Sequence, residues 1–147
     1  ILTLLHTIQP EIHCVFTISP VRHLKDGFLE NQVSKAQLFS ALYPLLSDGK
    51  ASYFPACELL LDELRDYRFY ANDMVHPSEG AINYIWERWV ETYVDEATQA
   101  DMKQVDSIQK GLLHRPFNPE SETHRKFLEQ LKQKMEVFTQ KYPHIVF

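Results

Sequence analysis

Ile12-His13-Cys14-Val15-Phe16-Thr17-Ile18-Ser19 is a β-branched and aromatic run that stops at Pro20. A run of this kind bounded by a turn-former predicts a buried strand of the parallel type, because a strand covered on both faces reads as continuously apolar rather than alternating. Upstream, Leu2, Leu5 and Ile8 keep helical spacing and read as the tail of a helix whose start lies earlier. Downstream, Pro20 to Gly27 is a polar loop with a turn signal at Asp26-Gly27. Leu38, Leu42, Leu45 and Leu46 then fall at i, i+4, i+7 and i+8, which predicts a helix over about Val33 to Leu46, stopped by Asp48-Gly49.

Further along, Ala51 to Phe54 is a short second strand, and Pro55 suits the first turn of a helix carrying Leu59, Leu60, Leu61 and Leu64. From Pro77, the residues Ile82, Ile85, Trp86, Trp89 and Tyr93 trace the clearest helical face in the chain, with both tryptophans read as core. Beyond Asp95 the composition turns to Gln, Lys, Glu and Asp. Met102, Val105, Ile108 and Leu112 form a narrower stripe, Pro116 and Pro119 punctuate, and Phe127, Leu128, Leu131, Met135 and Phe138 mark a last amphipathic helix that ends before Pro143. Alternating helices and strands with short connections imply a parallel sheet flanked by helices, with ligands outside the carboxyl ends of the strands. Two strands are few for such a sheet. The chain is therefore expected to be the later part of a larger α/β domain, leaving a sheet edge exposed that supports homo-oligomerisation.

Composition narrows the function classes. With 147 residues, 44% of them apolar, the chain suits one main domain. Fifteen basic against twenty acidic residues give a net charge of -5, and no Lys/Arg cluster lies along one face, which argues against nucleic acid as a partner. No apolar run approaches the roughly 18 residues of a membrane span. The chain reads as soluble, the cytoplasm being the favoured compartment. Cys14 and Cys57 lack any CxxC or Cys/His ligand spacing and read as free thiols. His6, His13, His114, His124 and His144 form no HxxxH or HExxH pattern, so neither a metal nor another cofactor is implied.

Chemistry concentrates in Asn72-Asp73-Met74-Val75-His76-Pro77-Ser78. A carboxylate three residues before an imidazole in a turn can hold His Nδ1, fixing the tautomer in which Nε2 serves as a general base. If Pro77 opens the following helix, His76 is its N-cap and its ring sits at the positive end of the macrodipole, a field that favours the neutral imidazole. Arg22 and His23, just after the first strand, stand where α/β folds build their sites and are expected to contact substrate or support an oxyanion. The run Asp62-Glu63-Leu64-Arg65-Asp66-Tyr67-Arg68 reads as a helix end laced with its own ion pairs.

Several long strings in this order resemble the GSCFA family: Phe16-Thr17-Ile18-Ser19-Pro20-Val21-Arg22-His23-Leu24-Lys25-Asp26-Gly27 with Asn31 and Ser34-Lys35, then Tyr53-Phe54-Pro55, Asp62 to Tyr70, and Asp73-Met74-Val75-His76-Pro77-Ser78. The likeness covers residues 1–94 and, more loosely, the helical tail. It implies two parts: 1–94 as the carboxyl-terminal part of a flavodoxin-like (SGNH-type) three-layer α/β/α sandwich, and 95–147 as a helical C-terminal extension. It further implies kinship with SGNH (GDSL-like) hydrolases, whose last block is an Asp-x-x-His that Asp73 and His76 match. The Gly-Ser-Cys-Phe-Ala string that gives the family its name, and whose serine resembles the SGNH nucleophile, is absent here. None of Ser19, Ser34, Ser40, Ser47, Ser52, Ser78, Ser107 and Ser121 has that context. The expectation is a base and its orienting acid from a serine esterase or acylhydrolase acting on a small-molecule or glycan ester, inert without its nucleophile. The alternative is a non-catalytic glycan- or protein-binding module on the same scaffold.

Overall fold

The computed structural model describes residues 1–49 and 51–147. It divides into two compact units, Ile1–Tyr93 and Val94–Phe147.

In the first unit, α1 (Leu2–Ile8) leads to β1 (Val15–Thr17), and α2 (Phe28–Ser47) crosses over to β2 (Ser52–Phe54). The two strands pair in parallel with Val15 opposite Ser52, Phe16 opposite Tyr53 and Thr17 opposite Phe54. Successive strand residues point to opposite faces. Phe16, Ile18 and Tyr53 accordingly pack with Phe39, Leu42 and Leu46 of α2, over the buried Cys57. Phe54 points the other way, edge-on to Trp89 at 5.1 Å and Tyr93 at 6.1 Å on α4 (Glu79–Tyr93). One helix therefore lies against each face of a small parallel sheet, the mixed α/β arrangement that the alternation of elements predicts.

The strand is shorter than its apolar run. Ile12 to Ser19 predicts eight residues and three are strand, because the partner β2 offers only three. Helix α2 starts earlier than Val33, at Phe28, behind Gly27 at φ 124°, a backbone conformation that glycine adopts without strain. It ends as expected at Asp48, with Gly49 at φ 68°. Pro55 stands just outside the next helix: α3 (Ala56–Glu58) runs into a wider π-type turn, Leu59–Leu64, closed by Arg65 in the left-handed region. Leu60 is fully buried there, a contribution of roughly 1.5–3 kcal/mol relative to exposure. A single 3₁₀ turn, Tyr67–Phe69, follows, and α4 packs against both segments.

Two expectations about α4 are corrected. Pro77 forms an antiparallel bridge with Tyr70, so the helix begins at Glu79 and His76 is not its N-cap. Ser78 stands at the helix entry instead, its Oγ accepting from Ala81 N at 3.4 Å. Trp86 is 52% exposed rather than core, because the inward stripe runs through Ala81, Ile85, Trp89 and Tyr93 at i, i+4, i+8 and i+12.

The second unit is a helical hairpin of α5 (Glu96–Leu113) and α6 (Glu122–Lys141). Asp95 caps α5 by accepting from Thr98 N at 2.9 Å, and Ser121 caps α6 by accepting from His124 N at 3.2 Å. Ile108, Leu131 and Phe138 form the core, with Val105, Phe127, Met135 and the tail residues Tyr142, Ile145 and Phe147 around them. Gly111 lets the helices close, since a Cβ there would lie 2.6 Å from Leu131 Cδ1. The Asp101 carboxylate takes Lys141 Nζ at 2.8 and 2.9 Å and the Tyr142 hydroxyl as well.

Candidate functional site

The loop between the 3₁₀ turn and α4 is closed at its base by backbone bonds: Ala71 N to His76 O at 2.8 Å and Ser78 N to Phe69 O at 2.7 Å. At its tip, Met74 N donates to Ala71 O at 2.9 Å, a four-residue turn. Met74 has φ 58°, a left-handed conformation that costs a non-glycine residue about 1–3 kcal/mol. Asp73 stabilises the turn from within. Its Oδ1 accepts from Val75 N at 2.9 Å and His76 N at 3.0 Å, the local side-chain bonding for which Asp is favoured in turns.

With Oδ1 committed to the backbone, Oδ2 faces His76 Nδ1 at 2.6 Å. The His76 bond, then the two backbone donors, hold the Asp73 carboxyl down to about 2. Asp73 is therefore an anion at neutral pH, and an anion requires Nδ1 to carry the proton. The acceptor lone pair of the neutral ring is then on Nε2, which has no hydrogen-bond partner among the described residues, and the imidazole is 61% exposed. Such a ring can accept a proton from a donor brought to Nε2.

Arg22 connects this loop to the segment leaving β1. Its backbone N–H donates to Val75 O at 3.0 Å, its guanidinium donates to Met74 O at 3.2 Å, and the guanidinium lies 4.5 Å from the Tyr70 ring centroid and 5.9 Å from that of Tyr67. His23 has other partners: its N–H donates to Asn31 Oδ1 at 2.7 Å, and its Nε2 lies 2.7 Å from Asp26 Oδ2. The sequence thus brings Arg22 to the Asp73–His76 loop, while the His23 ring turns to its own loop. Tyr67, Tyr70 and Asn31 are participants to which the sequence reading gave no role at the site, although they stand in the family-like strings. Tyr67 lies within, and Tyr70 just after, the charged run whose ion pairs, Asp62–Arg65 at 3.9 Å and Asp66–Arg68 at 3.7 Å, are present as expected.

Beside Arg22 is a cleft of about 290 Å³ at the carboxyl end of β1, walled by Pro20, Val21, Phe39 and Leu61, with Cys57 at its buried side. Burial pushes the Cys57 thiol up, and the nearby Lys35 charge opposes that shift. No described serine hydroxyl bonds to His76. Ser52 Oγ pairs instead with His13 Nε2 at 2.8 Å, and Ser19 Oγ accepts from Val21 N at 3.2 Å. Among the described residues no His, Cys, Asp and Glu side chains cluster in a way that could hold a metal ion, and no helix is long and apolar enough to cross a membrane.

Residues 1–89 match the model of the GSCFA family, and residues 105–147 match that of the GSCFA domain protein, C-terminal domain. The chain belongs to the GSCFA family. No curated protein matches the chain, and no solved structure does.

Proposed function

We propose that Asp73 and His76 are the orienting acid and general base of a serine ester hydrolase of the SGNH type, and that residues 1–94 belong to a flavodoxin-like three-layer sandwich carrying that machinery. The observation that supports the reading is the 2.6 Å bond between Asp73 Oδ2 and His76 Nδ1, which leaves Nε2 unbonded and accessible. In the proposed cycle a serine hydroxyl gives its proton to His76 Nε2 as its oxygen attacks the ester carbonyl. The imidazolium, stabilised by Asp73, returns that proton to the leaving alkoxide. Water then repeats the steps on the acyl-enzyme and frees the acid. The serine would come from a Gly-Ser-Cys-Phe-Ala string, which residues 1–147 do not contain. Arg22 serves as a positioning residue in this reading, holding the loop through Met74 O and Val75 O, and the substrate is a small-molecule or glycan ester.

The test is hydrolysis of a short-chain aryl ester by a polypeptide that carries both the string and this chain. His76→Ala should lower kcat by roughly four to six orders of magnitude. Asp73→Asn is the more discriminating change. Its Oδ1 can still accept from Val75 N and His76 N, but its amide presents a donor to Nδ1 and so favours the wrong tautomer; kcat should fall by roughly 10⁴-fold with the turn intact. The 147-residue chain by itself should give no turnover above buffer. Equal activity in the parent and both variants would leave Asp73 as a turn-forming carboxylate and favour a glycan- or protein-binding module.

A further inference from the structure

The cleft beside Arg22 is rich in donors and poor in acceptors. Arg22, Asn31, Gln32 and Lys35 supply its polar lining, and no carboxylate is among the lining residues. Asn31 is buried, and its Oδ1 is taken by His23 N. Its amide nitrogen has no hydrogen-bond partner among the described residues, and Asn31 lines the cleft. Lys35 Nζ donates to the Ser19 carbonyl and Arg22 to the Met74 carbonyl. Carbonyl oxygens orient these cations without neutralising them, and among the described residues neither Arg22 nor Lys35 is ion-paired with a carboxylate. Lys110, Lys126 and Lys132, by contrast, each have a carboxylate one helical turn away. The buried thiol at the side of the cleft feels Lys35, and also the Glu58 and Asp62 carboxylates, which do not line the cleft. In a chain of net charge -5, two cations held by neutral groups thus line one opening.

We infer that this cleft is a subsite for an oxyanion, a carboxylate or phosphate group carried by a small ligand, received by the Asn31 and Gln32 amides and by Lys35, with Pro20, Val21, Phe39 and Leu61 against its apolar part. Charge-assisted bonds from fixed donors favour such a group over a neutral one. Arg22 lines the cleft and also bonds to Met74 O and Val75 O of the loop that carries His76, so one residue links the subsite to that loop. As a statement about substrate class, the inference rests on the ester-hydrolase reading: it assigns that enzyme an ester bearing a negative charge. Binding itself needs no turnover, so the two fail separately.

The test is a titration of the 147-residue chain with sodium acetate, inorganic phosphate and sodium chloride at constant ionic strength, followed by amide chemical shifts. Saturable shifts of the Asn31 and Gln32 side-chain amides and of the Val21 and Arg22 backbone amides are expected with an oxyanion and not with chloride. The tighter of acetate and phosphate then separates a carboxylate from a phosphoryl ligand. Lys35→Met should weaken binding by about tenfold or more, and Lys35→Arg should retain it. Unchanged signals from α5 and α6 do not report on the first unit, so the Tyr53 and Phe54 amides serve as the check that its sheet is intact. Non-saturating shifts, equal shifts with chloride, or full affinity in Lys35→Met with that sheet intact would each overturn the subsite.

Discussion

Arg22 and Val75 are joined backbone to backbone across 3.0 Å, which ties the segment that leaves β1 to the loop that carries His76. The Arg22 side chain doubles the connection by reaching Met74 O and stacking over Tyr70. A single arginine thereby sets where the loop stands relative to the sheet.

Arg22→Ala removes the guanidinium bond and the stacking but leaves the backbone bond in place. It should destabilise the chain by about 1 kcal/mol, the sum expected for one partly exposed hydrogen bond and an exposed cation–π contact. Arg22→Lys, which keeps charge but loses the planar stack, should fall between. Urea midpoints at constant slope measure both; an unchanged midpoint for Arg22→Ala would show that the backbone bond alone holds the loop.

Met74 at φ 58° makes an opposite pair of predictions. Met74→Gly removes the left-handed strain while gaining freedom in the unfolded chain, and should lie within about 0.5 kcal/mol of the parent or slightly above it. Met74→Ile, β-branched in the same conformation, should cost about 1–2 kcal/mol. Denaturation of the two variants in parallel checks the sign of the difference.

The Asp73 carboxyl should titrate near 2 when followed by its carbon shift, and its value should rise toward the ordinary carboxylate range in His76→Ala, because the His76 bond is the largest cause of the depression. Its folded value is below its unfolded one. The stability it contributes is therefore complete above about pH 4 and is lost as pH falls through about 2. An unshifted carboxyl in the parent would mean that the pair is not formed in solution.

In the helical hairpin, Lys141 and Tyr142, in that order, hold the Asp101 carboxyl below its ordinary value, and Asp101 and Tyr142 raise Lys141. The acid limb follows Asp101: its contribution is present above about pH 4 and disappears as pH falls through the depressed value. The alkaline limb follows Lys141: its contribution is present below about pH 10.4 and disappears as pH rises through the raised value. Melting temperature against pH should show a plateau with losses at both ends, and Asp101→Asn should flatten the acid limb.

Gly111 faces Leu131 so closely that any Cβ meets the leucine methyl. Gly111→Ala gains about 1 kcal/mol of helix propensity and loses part of it to a shifted Leu131, whereas Gly111→Val should destabilise the hairpin by about 1–3 kcal/mol. Helical ellipticity during thermal unfolding reads both.

Periodicity made the helices legible wherever one face was buried, as with Leu42 and Leu46 against the sheet or Leu131 and Phe138 in the hairpin. It misled where an apolar residue faced solvent. Trp86 shares a turn with Ile85 yet stands outside, because the contact that orients α4 is Phe54 against Trp89. Strand length was overread, since apolar character spans Ile12 to Ser19 while pairing is limited by the partner strand. The π-type turn at Leu59–Leu64 has no periodic signature in a run of leucines. At the candidate site, Asp73 and His76 are three residues apart and their bond could be anticipated from turn chemistry. Arg22 over Tyr70 spans 48 residues of sequence and depends on how β1 and the 3₁₀ turn are brought together, which no local pattern encodes.

Half of the Asp73 side-chain surface and more of His76 face water. A charge developing on that ring is screened by a high-dielectric medium and by salt, so the turn as it stands fixes direction without supplying much field. Any surface that settles over Nε2, an ester among them, expels solvent from one side of the imidazole and strengthens its attraction to Asp73 without moving an atom of the loop. The covering partner thus completes in field what the turn has already fixed in direction.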